Sequence, residues 1–176
     1  GDGSAFGVSI NYAVQSEPNG IPNAFTIGKH FLGDEDALLV LGDNIVFGNG
    51  LPKLLQSAIR ENTGCTIFTQ HVSDPKQFGV LALDDKGLPH TIEEKPRYPK
   101  SNLAITGIYA FTNDVVKFSQ DLAPSRRGET EIVDLINGYL KLGRLNHINF
   151  GRGFAWFDTG TNSALLEASQ FVETIE

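Results

Sequence analysis

The feature that most constrains the fold is a pair of short, continuous apolar runs that both lead into an aspartate. Residues 37–41 form the first run and are followed by Gly42 and Asp43, and residues 154–157 form the second and are followed by Asp158. Short continuous apolar runs are typical of strands in a largely parallel sheet, where both faces are buried. The two runs therefore predict two strands whose ends carry carboxylates.

The rest of the chain alternates strand and helix patterns, which is typical of an α/β fold. Further strands are predicted at residues 7–15, 65–72, 103–111 and 145–150, and helices up to residue 31 and at residues 51–59, 114–122, 129–142 and 162–172. An acidic turn at residues 84–87 joins residues 78–83 to 88–93 and predicts an inserted antiparallel hairpin. We expect one domain over residues 1–176, with a mixed, mostly parallel central sheet flanked by helices.

Composition excludes several classes of protein. The net charge of −7 comes without a basic stripe, which argues against nucleic acid as a partner. The apolar runs are far shorter than the roughly 20 residues that span a bilayer, so we expect no membrane segment. Cys65 is the single cysteine, so no internal disulfide can form, and we expect it to be buried in a cytoplasmic protein. The four histidines show no metal-ligand spacing.

The carboxylates at the two strand ends are candidate metal ligands. In open α/β sheets ligands gather beyond the carboxyl ends of strands, and Mg²⁺ is held at phosphoryl-transfer sites by one or two carboxylates together with phosphates and water. The alternative is that Asp43 and Asp158 cap the helices that follow them. Thr161 can cap the last helix instead, which would leave Asp158 available.

Two charged motifs suit an anionic ligand. Glu94 and Lys95 end the predicted hairpin and could bind a sugar hydroxyl and a phosphate together, although such neighbours are common on surfaces. Arg127 precedes a helix, where a guanidinium and free backbone N–H groups both favour an anion, although a solvated helix start is the simpler explanation. Trp156 could stack on a sugar or belong to the core.

Several longer motifs occur here in the order found in bacterial glucose-1-phosphate thymidylyltransferases. They are residues 41–44 (LGDN), 78–80 (FGV), 92–96 (IEEKP), 106–109 (TGIY), 124–129 (PSRRGE) and 153–161 (GFAWFDTGT). Together they cover essentially the whole chain, which therefore resembles this family. The resemblance implies a Rossmann-like nucleotidyltransferase fold and the Mg²⁺-dependent reaction of dTTP with glucose 1-phosphate to give dTDP-glucose and pyrophosphate. It also implies a place in rhamnose and other carbohydrate biosynthesis.

The resemblance also implies roles for individual residues. Two carboxylates would hold Mg²⁺, two basic side chains would grip the sugar phosphate at the catalytic centre, and the remaining positions would bind substrate. The metal ligands are Asp43 and Asp158, the catalytic residues are Lys95 and Arg127, and the substrate-binding residues are Gln15, Gly20, Asn44, Gly79, Glu94, Ile105, Tyr109 and Trp156. Gln15 and Gly20 match positions that contact the thymine ring.

Departures from the family pattern leave alternatives open. Two parts of the family pattern have no counterpart in residues 1–176: the glycine-rich loop that cradles the triphosphate, and the C-terminal helices. We therefore expect this chain alone to be inactive or nearly so. Pro22 stands where the family usually has another residue and removes a backbone donor beside the base site, which leaves UTP possible in place of dTTP. Val133 stands where a threonine is common near the phosphate, so one hydroxyl is missing there. A binding module without catalysis is the third alternative. The family forms tetramers with a second nucleotide site, to which residues 44–50 would contribute.

Overall fold

The computed structural model describes residues 1–125 and 128–176 as a mixed α/β structure. The strands are β1 (Ala37–Val40), β2 (Asn44–Gly48), β3 (Cys65–His71), β4 (Gly79–Leu83), β5 (Pro89–Glu94), β6 (Leu103–Phe111), β7 (Leu145–Asn149) and β8 (Phe154–Asp158). The helices are α1 (Asn23–Ile27), α2 (Lys29–Leu32), α3 (Leu51–Arg60), α4 (Val115–Gln120), α5 (Ile132–Lys141) and α6 (Asn162–Ile175).

The main sheet is built around β6, whose residues are all buried. The strand order is β5-β4-β6-β3-β7, and β1 also pairs with β6. Strands β1, β3, β4 and β7 run in one direction and β5 and β6 in the other, so β3 and β7 are the one parallel pair of neighbours among the described strands. The mixed sheet and the β4–β5 hairpin confirm the α/β fold class predicted from sequence, but the prediction of a mostly parallel sheet is wrong, because every neighbour of β6 pairs with it antiparallel.

Two strands share one edge of β6 and diverge from each other along it. β1 pairs with residues 108–111 and β4 pairs with residues 103–104, while β3 occupies the opposite edge of β6. Residues 105–107 therefore lie between the two pairings. This divergence opens a cleft beside the middle of β6, which is the kind of position where ligands bind in α/β sheets.

Helices cover both faces of the sheet. On one face, Phe25 of α1, Val115 of α4 and Ile136 of α5 join the larger hydrophobic cluster. On the other face, Ala58 of α3 packs in a smaller cluster with Phe150. Because the sheet is held from both sides, the strand ends that line the cleft are fixed in place.

A second, two-stranded sheet pairs β2 with β8 and was not predicted from sequence. The register pairs Asn44 with Asp158 and Gly48 with Phe154. A Cβ on Gly48 would lie 2.1 Å from the Phe154 ring, so glycine is required for this close packing. This small sheet brings the two aspartates that follow the apolar runs close to each other.

Three local predictions are corrected by the structure. Residues 7–15 form no strand, and Val8, Tyr12 and Val14 are exposed, because this segment pairs with no strand of the described chain. β1 is not buried on both faces, since Leu38 and Val40 are 37% and 50% exposed. Helix α5 begins at Ile132 rather than at residue 129. No helix in residues 1–125 or 128–176 has the length and apolarity needed to cross a membrane.

Candidate functional site

The cleft beside β6 has a volume of about 200 Å³ and collects most of the residues that the sequence indicated. Those residues are Asn44, Gly79, Glu94, Lys95, Ile105, Tyr109, Trp156 and Asp158. Gln77, Phe78 and Ile132 also line it and were not singled out from sequence. Nothing in the sequence alone marks an apolar side chain as lining a cleft rather than filling a core.

Gly79 keeps one wall of the cleft open. A Cβ at this position would lie 3.1 Å from Val133 Cγ2 and 3.5 Å from both Glu94 Oε2 and Ile105 Cδ1. Val133 is buried directly behind Gly79. Any side chain on residue 79 would therefore enter the space between Glu94 and Ile105.

Glu94 ends strand β5 and Lys95 follows it, and both line the cleft. Their charged groups are 4.0 Å apart, and the Lys95 side chain is 49% exposed. The Lys95 backbone has φ 43, and the other described residues with positive φ are all glycines. The next residue is Pro96, which disfavours most conformations other than extended ones. Strained backbone of this kind is concentrated at ligand sites, and here it holds the lysine beside Glu94.

Tyr109 places a neutral hydroxyl against the cleft. Burial raises the pKa of the Tyr109 phenol, and the nearby charges of Glu94, Asp158 and Asp43 raise it further. The phenol therefore stays protonated at neutral pH. No hydrogen bond joins its hydroxyl to another described side chain or backbone group, so the group can serve a ligand.

The two candidate metal ligands converge at Gly160. A Cβ on Gly160 would lie 3.2 Å from Asp158 Oδ1 and 3.8 Å from Asp43 Oδ2. The backbone N–H and the hydroxyl of Thr159 both donate to the Asp43 carbonyl, at 2.8 and 2.7 Å, and so tie the two strand ends together. This juxtaposition agrees with the expectation drawn from the two apolar runs.

The alternative that these aspartates cap helices is not supported. Thr161 is the N-cap of α6, since its hydroxyl accepts from the N–H of Ala164 at 3.2 Å. The chain after Asp43 continues as strand β2, so no helix begins there. Both carboxylates are therefore available to a ligand.

The carboxylate oxygens of Asp43 and Asp158 fit a hard divalent cation that takes its remaining ligands from a bound molecule and water. The pair supplies carboxylate oxygens, and within residues 1–125 and 128–176 no group of three or more histidine, cysteine, aspartate or glutamate side chains could bind a metal. Two carboxylates with open positions suit Mg²⁺, which keeps waters and phosphate oxygens as its other ligands. A structural zinc site would need four protein ligands.

Trp156 is packed into the wall of the cleft. Its ring centroid lies 5.0 Å from that of Phe78, and both residues line the cleft. Its indole N–H donates to Asn44 Oδ1 at 2.6 Å. The indole is thus held in place by packing and by one hydrogen bond while it lines the cleft.

Gln15 and Gly20 lie in a neighbouring cavity of about 450 Å³. Ile21 lines both this cavity and the cleft, so the two spaces adjoin. Gln15 Nε2 donates to Asn19 Oδ1 at 2.8 Å and to the Gly20 carbonyl at 3.2 Å. Pro22, in contrast, is fully buried and lies outside the cavity lining.

Arg127, the second basic residue indicated by the sequence, lies outside the described residues. Glu129, two positions later, lines the cavity that contains Gln15. Cys65 is buried, as expected, and burial raises the pKa of its thiol. It takes no part in either cavity.

Comparison with known families gives a match over nearly the whole chain. The family model described as nucleotidyl transferase matches residues 1–175. Glucose-1-phosphate thymidylyltransferase from Neisseria meningitidis serogroup A is 47% identical over all 176 residues, and the protein of that name from Mycolicibacterium smegmatis is 44% identical. The chain spans 61% of the length of each of these relatives.

Solved structures show the same fold. A Bacillus anthracis protein provisionally named glucose-1-phosphate thymidylyltransferase, crystallised with sucrose, superposes with a TM-score of 0.85 and 37% identity over 97% of this chain and 68% of its own. UDP-glucose pyrophosphorylase in complex with UDP-glucose gives a TM-score of 0.82 at 22% identity, over 94% of this chain and 66% of its own. At that identity the likeness concerns the fold alone.

Proposed function

This chain belongs to the nucleotidyl transferase family, and from that premise we propose that it carries the sugar-phosphate and metal sites of a glucose-1-phosphate thymidylyltransferase. The relatives of that name, at 44 to 47% identity, support the proposal. The single observation that carries it is the cleft in which Glu94, Lys95 and Tyr109 lie next to the converging pair Asp43 and Asp158.

The polar groups of the cleft suit a sugar. Glu94 would accept hydrogen bonds from sugar hydroxyls, and the protonated Tyr109 hydroxyl would donate one. The Trp156 ring would cover an apolar face of the sugar, as aromatic rings do in many binding sites. Gly79 and Ile105 would set the width of the pocket.

The side chains in and beside the cleft carry mostly negative charge, so an anionic substrate needs a cation in order to bind there. Glu94, Asp158 and Asp43 are close enough to raise the pKa of Tyr109, whereas Lys95 is the one described basic residue of the lining. A phosphate placed there would be repelled without further positive charge. Mg²⁺ bound by Asp43 and Asp158 would neutralise charge on the phosphates. Arg127, by the family resemblance, would add further positive charge.

The adjoining cavities suit two reactants held end to end. Gln15 and the backbone at Gly20 would recognise the base of dTTP, while Lys95 would orient the phosphate oxygen of glucose 1-phosphate. That oxygen attacks the α-phosphorus of dTTP, a new P–O bond forms, and the bond to the bridging oxygen breaks to release pyrophosphate. Positioning of the two reactants supplies much of the rate, and no protein nucleophile is needed.

Because the chain spans 61% of its relatives, ligand binding is the first test and turnover the second. Glucose 1-phosphate is titrated calorimetrically into the wild-type protein and into Glu94→Gln and Glu93→Gln variants with Mg²⁺ present. Glu93 is the neighbouring carboxylate on β5, it is paired with Lys100 at 2.6 Å, and it lies outside the cleft. We expect Glu94→Gln to weaken binding at least tenfold and Glu93→Gln to leave it unchanged. Equal affinities in all three proteins would contradict the assignment of the cleft.

The preference for dTTP over UTP is tested in parallel. dTTP and UTP are titrated into wild-type protein and into Gln15→Ala, and pyrophosphate release is measured with glucose 1-phosphate, Mg²⁺ and an Asp158→Asn control. Preference for dTTP that depends on Gln15 supports the proposal, and preference for UTP supports a uridylyltransferase. Binding of both ligands without pyrophosphate release would assign residues 1–176 by themselves a binding role.

Assembly and location belong to the same proposal. We expect a homo-oligomer in the cytoplasm, without nucleic acid or membrane as a partner. Exposed apolar side chains on the small sheet, including Phe47 at 50%, are consistent with contact to a second copy. Light scattering on the purified protein tests the oligomer, and a single-chain mass at every concentration would contradict it.

A further inference from the structure

The side chain of Asn44 uses both ends of its amide inside the candidate site. Its Oδ1 accepts from the Gly107 N–H at 3.0 Å and from the Trp156 indole N–H at 2.6 Å. Its Nδ2 donates to Asp43 Oδ1 at 2.8 Å. One short side chain therefore connects the central strand β6, the wall of the cleft and a candidate metal ligand.

The orientation of this amide is fixed by its partners. Gly107 and Trp156 both present N–H donors, so the oxygen of Asn44 must face them. The NH₂ group is then left to face Asp43. A flipped amide would place its NH₂ group against these two N–H donors and leave a carboxylate oxygen without its donor.

The local sequence allows this close approach. A Cβ on Gly107 would lie 2.5 Å from the Asn44 side-chain carbon, so the amide fits against β6 because residue 107 is glycine. Asn44 also pairs with Asp158 across the β2–β8 ladder. Its side chain thus starts next to one candidate metal ligand and bonds to the other.

The consequence is a defined direction for Asp43. The Nδ2 group of Asn44 donates to Asp43 Oδ1, and the Gly160 N–H donates to Asp158 Oδ1 at 3.2 Å. No described residue donates to Oδ2 of either aspartate. Each carboxylate therefore has one oxygen held by the protein and one left for a ligand.

We propose that Asn44 is a positioning residue that orients the Asp43 carboxylate for metal binding and couples the metal to the Trp156 indole. This inference rests on the proposed function, because it takes Asp43 and Asp158 as the metal ligands. Groups that hydrogen bond to metal ligands typically change metal affinity by about 10- to 100-fold when removed. The role is distinct from contact with the substrate, and metal alone is enough to test it.

The test uses Mn²⁺ as a paramagnetic substitute for Mg²⁺, and measures the affinity of the folded protein by electron paramagnetic resonance. We expect Asn44→Ala to bind Mn²⁺ about 10- to 100-fold more weakly than wild type. Asn113→Ala is the matched control. The Nδ2 group of Asn113 donates at 2.9 Å to the carbonyls of Gly33 and Glu35, away from the cleft. A merely structural role would lower the unfolding temperature and leave the Mn²⁺ affinity unchanged, which would overturn the inference.

A second measurement needs no substitution at Asn44. Trp156 is the only tryptophan, so a ¹H–¹⁵N spectrum contains one indole N–H signal. We expect Mg²⁺ to shift this signal in wild-type protein and not in Asp158→Asn. An unchanged indole signal while Mn²⁺ binds in an Asp158-dependent manner would overturn the coupling and leave the metal site standing. Failure of wild-type protein to bind Mn²⁺ would contradict the proposed metal site itself.

Discussion

The backbone of Gly20 lies directly against the backbone of Thr130. A Cβ on Gly20 would be 2.0 Å from the Thr130 carbonyl oxygen, and the Gly20 φ is 113. The N–H and hydroxyl of Thr130 both donate to the Asn19 carbonyl at 2.9 Å. The loop that carries Gln15 is therefore clamped onto the segment that precedes α5.

Substitution of Gly20 by alanine should disrupt this clamp. The new methyl group would force the two backbones apart at a positive φ, so we expect a loss of about 1–3 kcal/mol in unfolding free energy and weaker dTTP binding. Urea unfolding and calorimetry measure the two effects. Gly33→Ala is the control, because φ there is 55 but nothing lies within 4 Å of an added Cβ. Equal losses in both variants would contradict the clamp.

Gly79→Ala should separate binding from stability. The added methyl group would occupy the space between Glu94 and Ile105, so we expect at least a tenfold loss of glucose 1-phosphate affinity. The nearest atom, Val133 Cγ2 at 3.1 Å, has to move by only a few tenths of an ångström, so the stability cost should lie near the lower end of the usual range for overpacking, about 1 kcal/mol. Calorimetric titration and urea unfolding measure the pair. Unchanged affinity would mean that the sugar lies elsewhere.

The parts of the candidate site that could be predicted are those indicated by residues adjacent in sequence. Asp43 and Asp158 were placed at strand ends from the apolar runs before them, and the structure brings them together at Gly160. The pairing that does so could not be predicted. Strand β2 is short, follows a turn, and finds its partner β8 more than a hundred residues later, so no periodicity near Asn44 indicates its neighbour.

The wrong predictions at residues 7–15 and at the start of residues 129–142 have physical causes of the same kind. Residues 7–15 alternate as a strand does, but alternation shows only that a segment can pair, and here Val14 is 84% exposed. The first residues of the predicted helix at 129–142 are instead non-helical, because Thr130 is bonded to Asn19. The lack of a pairing strand decided the first segment and a tertiary hydrogen bond decided the second, and neither is visible in the local sequence.

Asp114→Asn should lower stability in a pH-dependent way. Burial alone would raise the pKa of the Asp114 carboxyl, but hydrogen bonds from Thr112, Arg144 and Tyr139 outweigh it and lower the pKa below the ordinary 3.8. A lowered folded-state pKa stabilises the fold above that ordinary value, and the contribution is lost as the pH falls through the folded-state pKa.

The expected loss for Asp114→Asn at pH 7 is about 1 kcal/mol, because water screens a pair whose side chains are each 36% exposed. Urea unfolding from pH 7 to pH 3 should show the gap between the variant and wild type closing below pH 4. Asp85→Asn, in the exposed β4–β5 turn, is the control and should produce a smaller gap. A pH-independent gap for Asp114→Asn would rule out the linkage.

Gly138→Ala should stabilise the protein without touching the site. Gly138 lies inside α5, and nothing is within 4 Å of an added Cβ. Alanine is favoured over glycine in a helix interior by roughly 1 kcal/mol, so we expect a gain of about that size and a Tm higher by roughly 2–4 °C. Calorimetry of unfolding measures it. A decrease in Tm would indicate a hidden packing conflict, and glucose 1-phosphate affinity should not change.

Lys95 should show opposite effects on stability and binding. Its φ of 43 is a conformation that costs a non-glycine residue roughly 1–2 kcal/mol. Lys95→Gly and Lys95→Ala both remove the ammonium group, so both should lose at least tenfold in glucose 1-phosphate affinity. The glycine variant relieves the backbone strain and should be about 1 kcal/mol more stable than the alanine variant. Urea unfolding compares the two stabilities. If the alanine variant is as stable as the glycine variant, no strain is stored at this position, and if both variants retain affinity, the lysine does not hold the phosphate.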